Sequence, residues 1–200
     1  MRSMGTAVAL LLALATPSMA ADSHGEPSRD PHPRIDTYAV GTGAEYATVV
    51  VGEKAPDFNY QVNGRWQRLR DLRAQGHVLL VLGAGDVQLR AIESQREVLL
   101  RLGVVPVAVL DLRASACRST AAKLGLHFTV IPDPTRVIGA QFNSLEPRTR
   151  MTAPSWFVID RNGSIRALDR LDWPSSDWRE VASNALGIAT DGSPASFGGR

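Results

Sequence analysis

The chain has 200 residues, of which 44% are hydrophobic and 21% charged, with a single cysteine. That length suits one domain with tails, and the apolar fraction is enough for a packed core, which excludes wholesale disorder. A formal net charge of +2, from 22 basic and 20 acidic side chains, gives no reason to expect nucleic acid, and one thiol excludes an intramolecular disulfide, a Cys-x-x-Cys pair and a multi-cysteine zinc site.

Residues 1–20 read as a signal peptide. Arg2 supplies the positive start, residues 7–15 (AVALLLALA) the apolar stretch, and Ser18 and Ala20 the small residues before a cleavage site at Ala21. The apolar run is far shorter than the roughly 20 residues that span a bilayer. Export to a periplasmic or secreted location is therefore expected, with no stable membrane span after cleavage. Residues 21–45 read as a flexible leader, polar and punctuated by proline, in which His24 and His32 have no fixed geometry for a metal. Residues 46–187 form the expected folded domain, and the Gly/Ser-rich residues 188–200 a disordered tail.

Within the body, residues 59–69 hold an Asn63-Gly64 step between short alternating runs, a β-hairpin signal. Residues 77–82 (HVLLVL) are a continuous apolar run, which suits a strand buried on both faces. Residues 86–102 place Leu89, Ile92, Leu99 and Leu102 on one helical face, and Gly103 ends that helix. A second buried strand is predicted over 104–110, a helix over 115–124, a strand over 128–131 and a short helix over 135–142. Residues 156–160 and 164–168 flank Arg161-Asn162-Gly163 as a second hairpin, and Ser175 is placed to cap a last helix running to Leu186. The order predicts an α/β fold: a mixed sheet flanked by helices on both faces, with an N-terminal β-hairpin extension.

The turn after the first buried strand, Gly83-Ala84-Gly85, resembles the start of a dinucleotide-binding fingerprint, with Asp111 where a ribose-binding acid would sit. The third glycine position, however, holds Gln88, whose side chain would obstruct close helix–strand packing. A different resemblance covers more of the chain. Val51-Gly52-Glu53-Lys54-Ala55-Pro56-Asp57-Phe58 is similar to the opening segment of the redoxins, the alkyl hydroperoxide reductase/thiol-specific antioxidant family and its thioredoxin-fold relatives. Leu69-Arg70-Asp71-Leu72, Lys123-Leu124-Gly125-Leu126, Ile131-Pro132-Asp133-Pro134 and the segment from Pro154 through Ser155-Trp156-Phe157-Val158-Ile159-Asp160 to Gly163 follow in the family's order. The resemblance implies a thioredoxin-like sheet and thiol-based reduction of peroxides or disulfides.

In that family the nucleophile sits where the first core strand meets its helix, whose N-terminus stabilises the thiolate. Alignment on Ala84 puts the two Cys-x-x-Cys positions at Val87 and Arg90, and no Thr-x-x-Cys motif occurs. Pro154 matches the thioredoxin-type cis-proline, so a cis Ala153–Pro154 bond is expected, while the arginine that peroxiredoxin-like members carry there is missing. Cys117 shares a helix face with Ala121 and Leu124, as packing requires, although Arg113 and Arg118 lie close enough in sequence to activate a thiol. His77 and His127 lack metal-ligand spacing, and Trp66, Trp156, Trp173 and Trp178 read as core and edge aromatics rather than a carbohydrate platform. The resemblance thus implies an exported redoxin-like protein without the family's catalytic cysteines, a binding or accessory module in envelope redox homeostasis. Such a module would take a protein or peptide by backbone contacts at the cleft beside Val87, Arg90 and Pro154, with no cofactor and no metal. The alternative is an antioxidant thiol oxidoreductase or peroxidase that works through Cys117.

Overall fold

The structure is a computed structural model that describes residues 49–62, 64–170, 173–174 and 177–188. The expected signal peptide, leader and most of the tail lie outside the described residues, as does Ser175. The elements run β1 (Asn59–Val62), β2 (Arg65–Arg68), α1 (Leu69–Arg73), β3 (His77–Leu82), α2 (Asp86–Arg101), β4 (Val104–Leu110), α3 (Ala114–Leu124), β5 (Thr129–Pro132), α4 (Val137–Gln141), β6 (Ser155–Ile159), β7 (Ile165–Asp169) and α5 (Trp178–Leu186).

β3 is the centre of a five-stranded mixed sheet of order β5-β4-β3-β6-β7. It pairs in parallel with β4, Leu80 opposite Val107, and antiparallel with β6, Leu80 opposite Phe157. Side chains along a strand alternate between faces, and here both faces are apolar. Val78, Leu80 and Leu82 enter one core with Phe58, Tyr60, Leu69, Phe142 and Phe157, beneath the β1–β2 hairpin, α1 and α4. Leu79 and Val81 enter the other with Leu89, Ile92, Leu99, Cys117, Leu124 and Trp178, beneath α2, α3 and α5. This is the reason the strand reads as an unbroken hydrophobic run.

Two local features escaped the sequence pattern. α1 is a five-residue helix whose Leu69 and Leu72 are buried, started by Asp71, which accepts the Arg68 amide at 2.7 Å. One turn is too short to show a helical period. The last helix is capped by Asp177, whose carboxylate accepts the amides of Arg179 at 2.9 Å and Glu180 at 3.4 Å.

The start of β7 is flanked by the segment before β1. Gly52 donates to the Ile165 carbonyl, Ile165 to the Glu53 carbonyl and Ala55 to the Gly163 carbonyl, each at 2.8 Å. Lys54 reaches past them to the Asn162 carbonyl at 3.0 Å and the Ser164 hydroxyl at 3.1 Å.

The hairpin is pinned to the sheet by Tyr60, 2% exposed, whose hydroxyl donates to Gln67 Oε1 at 2.7 Å. Burial, reinforced by the charge of Asp71, pushes its phenol up to about 12. An unfolded tyrosine ionises near 10, so the stability this group contributes is complete below pH 10 and is lost as the pH rises through about 12. Urea unfolding across that window is expected to show a steeper alkaline loss of stability in the wild type than in Tyr60→Phe.

Candidate functional site at the end of the central strands

At the C-terminal end of β3 the chain turns through Gly83 and Ala84 into α2. Gly83 has φ +61°, and a Cβ placed there would overlap the Thr152 carbonyl oxygen. Glycine is needed both for the left-handed backbone and for the close approach of the 151–154 loop. Gly85 is the N-cap of α2, and Gln88 reaches back to accept the Gly85 amide at 2.7 Å. Gln88 therefore does not obstruct the turn; it is one half of the helix cap. Asp86, in the first turn, meets the helix dipole favourably and pairs with Lys123 of α3 at 3.2 Å.

Facing this turn, Asp111 at the end of β4 ties the 151–154 loop to α4. One carboxylate oxygen accepts Arg136 Nε at 3.0 Å and the Thr152 amide at 2.9 Å, and the other accepts the Thr152 hydroxyl. Arg136 Nη2 continues to Met151 Sδ at 3.1 Å. Arg136 is itself the N-cap of α4, with φ 60°, and the buried Asp133 carboxylate accepts the Val137 and Gly139 amides that begin the helix at 2.9 and 3.0 Å. Burial pushes the Asp133 carboxyl up, against the pull of those amides. Both oxygens of Asp111 thus already accept from protein donors, which disfavours it as a ribose ligand.

Between these parts lies a cleft of about 200 Å³ lined by Gly83, Ala84, Asp86, Leu89, Leu110, Asp111, Leu112, Thr120, Met151 and Thr152. Val87, Arg90 and Pro154 stand beside it in sequence and are exposed, but they do not form its wall. Val87, 81% exposed, directly follows Asp86. The Ala153–Pro154 bond is trans, not cis as expected. The Ala153 amide donates to the Ser144 carbonyl at 2.7 Å, and Leu145 bridges Thr152 in antiparallel fashion. These bonds carry the loop extended into β6, so nothing opposes the ordinary trans preference. The Thr152 and Ala153 amides are thus both bonded within the chain.

The one thiol is elsewhere. Cys117 is 3% exposed, on the inner face of α3, with Sγ 3.7 Å from the Leu112 carbonyl. Burial pushes its pKa up, the reverse of an activated thiol. Arg118 is exposed, and no ion pair or hydrogen bond links Arg113 or Arg118 to the sulfur among the described residues. His127 Nδ1 lies 2.9 Å from Glu93, and His77 begins β3 with its pKa lowered by burial and then by Arg161. No cluster of metal-ligating side chains occurs among the described residues. None of their helices is long and apolar enough to cross a membrane.

Residues 51–168, more than half of the chain, match the AhpC/TSA family. The chain belongs to the AhpC/TSA family. Solved structures agree at the level of fold. The peroxidoxin BcpB of Mycobacterium tuberculosis superposes with a TM-score of 0.61 at 15% identity, over 68% of this chain and 95% of that one. A protein described as a thiol:disulfide interchange protein DsbE from Chlorobium tepidum gives 0.57 at 22% identity, over 72% and 99%. The AhpC of Enterococcus faecalis gives 0.57 at 14%, over 68% and 90%. No curated protein matches the chain. In this AhpC/TSA chain, as the sequence implied, a thioredoxin-like sheet is preceded by a β-hairpin.

Two measurements check this geometry. The Cys117 thiol is expected to react with a disulfide reagent at least about a hundredfold more slowly in the native protein than after denaturation. Gly83→Ala is expected to destabilise the fold by about 2–4 kcal/mol in urea titration, because left-handed strain and a backbone clash act together.

Proposed function

We propose that the chain is an exported, non-catalytic member of the AhpC/TSA family, and that its cleft docks a protein or peptide in envelope redox homeostasis. One observation carries the reading. Where the family's chemistry needs a thiolate at the start of the helix, the turn offers glycine, alanine and a carboxylate, while the chain's sole thiol is buried in α3 outside the cleft. A carboxylate cannot attack a peroxide or a disulfide as a sulfur nucleophile does.

The surface around the cleft supports binding. Leu112 and Met151 line it at 38% and 46% exposure, and Val87 adjoins it at 81%. Three large apolar side chains left open around one concavity mark a place where a partner buries an aliphatic group. With the loop amides at 152 and 153 engaged, that partner is read through side chains. Export is supported by the pattern of residues 1–20, and a role in redox homeostasis by the family and by the DsbE-named neighbour in fold.

The competing reading, a one-cysteine oxidoreductase or peroxidase, has only Cys117 to use. Cys117 is 3% exposed, at the wall of a concavity of about 150 Å³ that it shares with Arg118 and Phe128, and it has no second thiol in the chain to resolve an oxidised intermediate.

Selection of displayed peptides against the full chain separates the two. Enriched peptides are expected to carry an aliphatic residue and to lose at least about tenfold in affinity to Val87→Asp or Met151→Asp, with unchanged thermal midpoints. Hydroperoxide or disulfide turnover that disappears in Cys117→Ser would overturn the proposal.

A further inference from the structure

The four tryptophans divide sharply. Trp156, Trp173 and Trp178 make an edge-to-face cluster beside α5, with centroid separations of 5.7 and 5.3 Å. Trp66 is instead 74% exposed, on β2. Of the four, Trp66 is the edge aromatic, on a strand of the two-stranded hairpin. Leaving a whole indole in water forgoes more burial free energy than almost any other exposed side chain.

Its neighbours are fixed by strand register. Trp66 lies opposite Gln61 and Arg68 opposite Asn59, so all four side chains share the outward face of the hairpin. All four are exposed. Asn59, Trp66 and Arg68 line a concavity of about 420 Å³ together with Gln67, Arg70 and Asp71. Tyr60 and Gln67 occupy the inward face, where they hold the hairpin rigid through their 2.7 Å hydrogen bond.

The concavity itself carries two guanidinium groups against one carboxylate, Asp71, while the Asp57 carboxylate accepts the Arg70 amide at 3.4 Å. Among the described residues Arg68 has no ion-pair partner, and Arg70 meets only Asp71, at 3.8 Å between well-exposed groups. Asp71 already spends one oxygen on the Arg68 amide. Two guanidinium groups thus stand beside a flat aromatic face and the Asn59 amide. Guanidinium pairs select a carboxylate through two parallel hydrogen bonds. The indole face stacks on the C–H side of a saturated ring, and amides donate to and accept from ring hydroxyls. We propose that the outward face of the β1–β2 hairpin binds an acidic saccharide, with Trp66 stacked on a sugar ring, Arg68 and Arg70 on its carboxylate, and Asn59 on its hydroxyls. An anionic lipid surface fits less well, because Trp66 is the one large apolar side chain exposed on this strand face among the described residues.

The test titrates the full chain with trigalacturonic acid and follows tryptophan emission and calorimetric heat. Saturable binding is expected that weakens with added salt, is at least about tenfold weaker in Trp66→Ala and in Arg68→Ala, is much weaker for neutral maltotriose, and is unchanged in Val87→Asp. Exposed positions carry these substitutions without loss of the fold, which the thermal midpoint verifies. Absence of binding up to about 10 mM, equal binding of maltotriose, indifference to both hairpin substitutions, or Trp66-dependent binding only to phosphatidylglycerol vesicles would overturn the proposal.

Discussion

The central strand has neither a free edge nor a free face. β3 is hydrogen-bonded on one side to β4 and on the other to β6, and its side chains are buried alternately in two separate cores. The position of every other part follows from that confinement. The strand must end where its neighbours end, the chain must leave through a tight turn, and α2 must start above the sheet with its N-terminus at the cleft. Gly83, pressed against the Thr152 carbonyl, shows how little room the turn has. A site at the end of β3 is therefore built on the most rigid element in the molecule, the arrangement that holds reactive or binding groups most accurately.

What the chain places on that scaffold differs from what its fold could support. Asp111 uses both oxygens to join the 151–154 loop, α4 and β4, and so serves as a brace rather than a ligand. Arg136 is held between Asp111 and Met151. The thiol sits on the inner face of α3, in a setting that disfavours its ionised form. Fold and chemistry are separable properties, and in this chain the fold of the family persists while the turn holds glycine, alanine and a carboxylate.

Sequence reading recovered the elements whose signals are local. The HVLLVL run, the Asn63-Gly64 step and the Arg161-Asn162-Gly163 turn each report on a few neighbouring residues, and strands and hairpins appear where they point. The Cys117, Ala121 and Leu124 stripe likewise faces inward, as its spacing requires. Features set by distant partners were not legible. The extended path of the 151–154 loop is held by pairing with residues 144–145, and the bonds of Asp111 depend on Arg136 and Thr152. Gln88 misled because its side chain was judged against a helix packing on a strand, whereas it bends back onto its own helix end. Trp66 and Trp178 are the same residue type, and only tertiary packing makes one a surface group and the other a core group.

The segment from Gly52 to Ala55 lies beside the start of β7 and occupies the amide and carbonyl of Ile165, with Lys54 extended across the turn that precedes the strand. An uncovered border strand is a template on which another chain can continue the sheet. Here the start of that border is occupied from within, at Ile165, and a second molecule could pair there only after peeling the strap away. Ala55 also packs against the core beneath the hairpin, so the strap is held by side-chain contact as well as by its backbone bonds.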